Sequence, residues 1–246
     1  AMAQLSYPLS SIRRVELKTA FNRYGFDMEV ERYDYDQFGQ WIDFRQTAGE
    51  TPDPLNLGEV SVAFVEDNSF SGFTGPIRGW RTRLEVGRTF GTETFTSVLT
   101  DVRRYYSPLQ MLSFAVRGYH YGRYGIPSTG QDFGIIGDLF LGDTYFVRGY
   151  SANSIDIKEC PQLVTTCPAI DRLLGQRIGV VNLEVRVPLL GSERFGLISF
   201  PYLPTDLVGF VDTGVAWNQG DDPSFIWDPN SEARTPIVSA GVSARA

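Results

Sequence analysis

Residues 79–90 read Gly-Trp-Arg-Thr-Arg-Leu-Glu-Val-Gly-Arg-Thr-Phe. Side chains alternate with a period of two along an extended chain, so Trp80, Thr82, Leu84 and Val86 share one face while Arg81, Arg83 and Glu85 share the other. One face is apolar and the other is charged. The division recurs at 179–188, where Val181, Leu183, Val185 and Val187 oppose Asn182, Glu184 and Arg186. At 13–22, Val15, Leu17, Thr19 and Phe21 oppose Arg14, Glu16, Lys18 and Asn22, and at 110–119, Leu112, Phe114 and Val116 oppose Ser113, Arg117 and Tyr119. Further strands are predicted at 57–66, 94–106, 207–217 and 236–246, which gives eight principal strands. Each is near the ~9–11 residues that a tilted strand needs to cross hydrocarbon.

The connections are unequal. Ser107-Pro108-Leu109-Gln110 reads as a tight turn, whereas 27–56, 121–176 and 219–235 are long polar excursions. This asymmetry suits an outer-membrane barrel, with short periplasmic turns and long outer loops. A soluble β-sandwich also alternates, with its apolar face turned to a dry core. Loops beyond ~12–15 residues are uncommon there, but alternation alone leaves both folds open. Residues 28–45 have strand character and are expected to continue the flanking strands as a hairpin; their Tyr, Trp and Phe equally suit interface anchors.

Composition narrows the function. The chain has 246 residues, 42% hydrophobic and 21% charged, with 25 glycines. That excludes a disordered tail and a disulfide mini-protein. No window approaches ~18 consecutive apolar residues, so a crossing by helices is excluded and only a closed strand barrel remains for that role. Twenty-two basic against 29 acidic side chains leave a net charge of −7, which disfavours a nucleic-acid surface because phosphate is repelled. A single His, His120, makes a His-based metal site untenable; that residue reads most simply as a rim or lumen side chain. The first residues, Ala1-Met2-Ala3-Gln4-Leu5, lack the basic and apolar regions of a secretion signal. The last, Val242-Ser243-Ala244-Arg245-Ala246, stop inside an alternating pattern, as expected of a piece of a longer protein cut within a strand.

The excursion after Tyr121 contains Leu141-Gly142-Asp143-Thr144-Tyr145-Phe146-Val147-Arg148-Gly149-Tyr150. Downstream stand Asn182-Leu183-Glu184-Val185-Arg186-Val187-Pro188 and Gly209-Phe210-Val211-Asp212-Thr213-Gly214-Val215-Ala216-Trp217. With these motifs the chain resembles the BamA/TamA-type outer-membrane assembly barrels, the bacterial surface antigen family. In that family a V-R-G-F/Y loop tip folds back into the barrel, and its Arg meets acids on the following two strands. The resemblance extends upstream: Glu66-Asp67-Asn68-Ser69-Phe70, then Thr74-Gly75-Pro76-Ile77-Arg78-Gly79-Trp80, is similar to the family's D-N-x-F…P-T-x-G-W periplasmic turn. It covers nearly the whole chain and implies about the seventh through fourteenth strands of a sixteen-stranded barrel. Two departures stand out. The turn reads Phe73-Thr74-Gly75-Pro76, and the aromatic C-terminal residue that serves the family as an assembly signal does not occur.

The residue chemistry fits the constellation. An Arg carried into a barrel interior needs an acid, since leaving one member of a buried ion pair alone costs about 3–5 kcal/mol. A planar guanidinium can serve two carboxylates. Glu184 lies on the polar face of its strand and Asp212 interrupts an apolar run, so these are the candidate partners of Arg148. Gly149 allows a tight backbone turn at the tip, beside Tyr150, and Gly214 leaves room on the wall for the loop. The alternative is a solvated loop Arg148 and a strand-end Asp212. Cys160 and Cys167 fall in the same excursion; in an oxidising exterior a disulfide there would close an eight-residue loop and contribute about 2.5 kcal/mol. Their spacing is not that of a C-x-x-C redox pair.

No nucleophile elbow, phosphate-binding loop or zinc-ligand spacing is present, so no enzyme, no cofactor and no metal are expected. The expected fold is an all-β, antiparallel transmembrane β-barrel formed by a single domain or barrel fragment over residues 1–246, with outer loop 121–176 folded into the lumen. The resemblance implies an integral protein of the bacterial outer membrane that inserts or transports other proteins there. Its partners would be outer-membrane lipid, nascent outer-membrane or secreted proteins, and periplasmic domains upstream of Ala1, with no nucleic acid. The Arg148 loop would brace the wall on Glu184 and Asp212. Two alternatives stay open: a passive barrel anchoring a separate soluble domain, and a small barrel closed by these eight strands alone, which are enough for a side-chain-filled lumen.

Overall fold

The computed structural model describes residues 1–51, 53–125, 136–151, 168–193, 196–224 and 234–246. Its strands are β1 (Met2–Pro8), β2 (Arg13–Tyr24), β3 (Glu29–Tyr35), β4 (Trp41–Ala48), β5 (Leu55–Asp67), β6 (Phe70–Ser71), β7 (Pro76–Gly91) and β8 (Phe95–Leu109). There follow β9 (Leu112–Tyr124), β10 (Leu139–Phe140), β11 (Leu174–Gly175), β12 (Arg177–Gly191), β13 (Ile198–Ser199), β14 (Thr205–Trp217) and β15 (Ile237–Arg245). A one-turn helix at Pro168–Asp171 precedes β11. Among the described residues no helix is long and apolar enough to cross a membrane.

The long strands form one antiparallel meander in the order β1-β2-β5-β7-β8-β9-β12-β14-β15. The alternating segments become strands of 9 to 16 residues apart from β1, which has seven. The path therefore holds nine strands where eight were expected. The added strand, β1, pairs with β2 from Met2↔Ala20 to Pro8↔Arg14. Its outer neighbour position is empty among the described residues, and β1 and β15 are not paired with each other. The sheet is thus open, which does not support a small barrel closed by these strands alone.

Two local readings also change. The chain reverses at Gln110 and Met111, with Leu109 opposite Leu112, because a register shift after Tyr106 lets β8 continue through Pro108. The 28–45 segment does not extend the neighbouring strands; among the described residues β3 and β4 pair only with each other, in a separate two-stranded sheet. In that hairpin the Tyr33 hydroxyl donates to Glu31 at 2.8 Å, which holds the phenol above its ordinary pKa.

The two faces of the main sheet differ in the opposite sense to a soluble sandwich. Val62, Leu84, Val86, Val116, Val181, Leu183 and Val185 are all exposed, whereas Glu16, Arg186 and Asp212 are buried. Apolar side chains form the outer face, and charged ones form the inner face. A sheet packed face to face in water would bury the first set and expose the second. The inner face is tied by ion pairs such as Arg83 with Glu16 at 2.8 Å and with Glu85 at 2.6 Å.

Candidate functional site

The described parts of the segment between β9 and β12, residues 136–151 and 168–176, pack on the inner face. Leu141, Val147, Leu173, Ile178, Val180, Ala216 and Ile237 form a buried cluster that joins the loop to β12, β14 and β15. Val147 is fully buried there, which fixes the residue next to Arg148. Asn182 Nδ2 donates to the Phe146 carbonyl at 2.8 Å and holds the same turn from the strand side. Gly149 follows with φ +87°, a left-handed conformation that costs glycine little. A Cβ at that position would also stand 3.2 Å from Ser239 Oγ. The Tyr150 hydroxyl is 3.5 Å from the Val238 carbonyl on β15.

This seating brings the Arg148 guanidinium onto two carboxylates. Nε and Nη2 donate to Asp212 Oδ2 and Oδ1 at 2.6 and 2.7 Å, and the Arg148 backbone N–H donates to Oδ2 at 3.1 Å. Nη1 donates to Glu184 Oε1 at 2.7 Å. The Asp212 side chain is 0% exposed and that of Glu184 is 11% exposed, so charge-assisted bonding replaces the water these acids have lost. The guanidinium carbon also lies 3.9 Å from the Phe210 ring centroid, within cation–π range. Gly214 sits under the loop: a Cβ there would be 2.9 Å from Leu141 Cδ1 and 3.1 Å from Val147 Cγ2. Arg148, Gly149, Tyr150, Glu184, Asp212 and Gly214 thus lie together, while Cys160 and Cys167 lie outside the described residues.

The network is wider than the sequence indicated. Arg186 donates to Glu184 Oε2 through Nε and Nη2 at 2.8 and 2.6 Å, and Arg245 Nη2 is 3.5 Å from Glu184 Oε1. Glu184 therefore serves three guanidiniums. A second node is Asp101, shared by Arg103 at 2.7 Å and Arg117 at 3.1 Å. Arg117 Nη1 also donates to the Tyr145 carbonyl at 2.9 Å and lies 4.3 Å from the Tyr145 ring, so β9 grips the loop as well. A cavity of about 340 Å³ remains between these groups, lined by Arg81, Arg103, Arg117, Arg148, Glu184 and Arg186 among others.

The turn between β5 and β7 closes the other end of this region. Gly79 has φ +98°, with the position of a Cβ only 1.9 Å from the Asn68 carbonyl, so the hairpin fits only glycine there. Arg81 bridges to Asp67 at 2.8 Å and to Ser69 Oγ at 3.0 Å. The turn then folds across the inner face: Arg186 Nη1 donates to the Pro76 carbonyl at 2.9 Å, and the Thr74 hydroxyl bonds Asp206. Two strands, β8 and β9, separate β7 from β12, about 14 Å along the sheet. The one signal for Arg186 and Arg245 in sequence was their polar-face parity, which gives no partner across such a distance.

Comparison with known proteins bears on the chain's family and fold. The family model described as the Omp85 superfamily domain matches residues 1–245. A crystal structure of BamA from Haemophilus ducreyi lacking POTRA domains 1-3 superposes with a TM-score of 0.59 at 16% identity, covering 99% of this chain and 47% of that one. The chain thus spans about half the length of that structure, and the likeness at this identity is one of fold. No curated protein matches the chain.

Proposed function

The chain belongs to the Omp85 superfamily, and from that premise we propose that it is part of an outer-membrane β-barrel that inserts or translocates other proteins. The observation that carries this reading is the folded-in loop tip, with Arg148 held by Asp212 at 2.6 Å and Glu184 at 2.7 Å on the inner face. The exposed apolar outer face supports placement in lipid, where every backbone group must be paired within the sheet. The edges of β1 and β15, unpaired among the described residues, support completion of the barrel by further strands, since an open edge in hydrocarbon leaves N–H and C=O groups unsatisfied.

In this reading the work is mechanical and no covalent step is involved. A wall that must admit or pass another polypeptide has to open locally without collapsing. The loop braces β12 and β14 from inside: Arg148 draws Glu184 and Asp212 together from two adjacent strands, and Val147 packs over Gly214. Periplasmic docking segments and client proteins belong to the same proposal.

The test is reconstitution. Liposomes carrying the full-length polypeptide should accelerate folding of a urea-denatured outer-membrane barrel over empty liposomes, with Arg148→Ala slower than wild type. No acceleration by the wild type, with the protein correctly inserted, would leave a passive anchor as the better account.

A further inference from the structure

On the inner face Arg14, Arg83, Arg103, Arg117, Arg148 and Arg186 all lie within 3.1 Å of a carboxylate, while Arg123, without an ion pair among the described residues, donates to the Gly137 carbonyl at 2.8 Å. Arg177 is different. It opens β12 at the loop side and shares parity with the exposed Val181, Leu183 and Val185, so it belongs to the outer face. It makes no ion pair among the described residues, and its Nε is buried without a hydrogen-bond partner. Its guanidinium carbon instead lies 4.4 Å from the Tyr124 ring.

That ring is held in place. Tyr124 Oη and His120 Nε2 are 2.8 Å apart, His120 Nδ1 is 2.9 Å from the Ile178 carbonyl, and the imidazole stacks on Trp217 at 5.7 Å and 22°. The register sets Arg177 opposite Gly122 on one side and Trp217 on the other, so three adjacent strands build the cluster. Position along the strand matters equally. From Arg177 to Val187 the outer face runs about 33 Å along β12, or about 25 Å along the normal at a ~40° tilt, the height of an outer-membrane apolar band. Arg177 therefore marks one rim of that band. An unneutralised guanidinium beside Tyr and Trp at such a rim faces headgroups, with its two terminal nitrogens rather than the buried Nε available to two phosphate oxygens.

We propose that Arg177, oriented by Tyr124, His120 and Trp217, binds the phosphate of an anionic lipid headgroup at the loop-side rim. This rests on the membrane reading above but not on the loop brace. Arg88 supplies the internal contrast: it has outward parity near the same end of β7, but it donates to Thr96 Oγ1 at 2.8 Å and lies over no ring among the described residues.

The experiment is native mass spectrometry of the detergent-solubilised protein equilibrated with phosphatidylglycerol, phosphatidylcholine or inorganic phosphate. Wild type should retain phosphatidylglycerol under activation that strips phosphatidylcholine, and Arg177→Gln should weaken that retention about tenfold. Arg177→Lys should recover part of it and stands in if the glutamine variant does not fold; Arg88→Gln should match wild type. Equal retention by wild type and both Arg177 variants overturns the site. Displacement by inorganic phosphate at matched ionic strength also overturns it, because the ligand would then be a free ion. Retention of neither lipid by any variant would instead strike the membrane reading itself.

Discussion

Arg148 and Asp212 are 64 residues apart in sequence and share three hydrogen bonds, two from the guanidinium at 2.6 and 2.7 Å and one from the backbone N–H at 3.1 Å. The pairing satisfies a carboxylate with no solvent exposure, and it joins the loop tip to the wall at a point where Val147 is also buried. Side-chain charge and backbone dipole converge on one acid, so neither can move alone.

Arg148→Ala leaves Asp212 buried without its cation and should destabilise the folded chain by about 3–5 kcal/mol. Asp212→Ala should cost a similar amount, and the double variant should cost less than the sum, with a coupling of about 1–3 kcal/mol. Unfolding midpoints in detergent measure all three. Strict additivity would mean that the pair carries no stabilisation of its own.

The strands were legible because alternation is local: each period-two segment carries its own face assignment, and the observed ends differ by a few residues. Glu184 and Asp212 were legible for the same reason, as a polar-face acid and an interruption in an apolar run. β1 escaped because seven residues ending in Pro8 are too few to show a period, and its strand state comes from pairing with β2. The 28–45 hairpin kept its local pairing but lost the expected continuity with its neighbours, since tertiary placement is not written in local pattern. Arg186, Asn182 and Thr74 act through partners 36 to 132 residues away. Which acid or carbonyl a polar-face side chain meets depends on how the loop and turn fold across the sheet.

Gly79→Ala tests the turn. A methyl group would stand 1.9 Å from the Asn68 carbonyl oxygen at φ +98°, so the backbone itself must shift. The expected loss is about 1–3 kcal/mol or more. Gly118→Ala, with nothing within 4 Å of the added carbon, should stay within about ±0.5 kcal/mol. Equal midpoints for the two variants would contradict the turn geometry.

Thr74 and Arg148 do not touch, but Arg186 contacts both Pro76 in the turn and Glu184 beneath the loop tip. Thr74→Val and Arg148→Ala should therefore be coupled by about 0.5–1 kcal/mol, and the coupling should vanish in an Arg186→Met background. Persistence of the coupling without Arg186 would show that the connection runs by another route.

Leu183 is 46% exposed at the middle of the outer face, and Val187 shares its parity four residues nearer the turn side. If that face meets lipid, Leu183→Arg should cost about 2–4 kcal/mol, because the guanidinium enters the centre of the hydrocarbon, whereas Val187→Arg near the rim should cost about 0–1 kcal/mol. In water the exposed Leu183 would tolerate the change within about ±0.5 kcal/mol, and the half-buried Val187 would tolerate it no better. Reversible unfolding from lipid vesicles gives both numbers. A graded penalty measures depth in the bilayer, and a flat one would remove the lipid-facing assignment of the whole outer face.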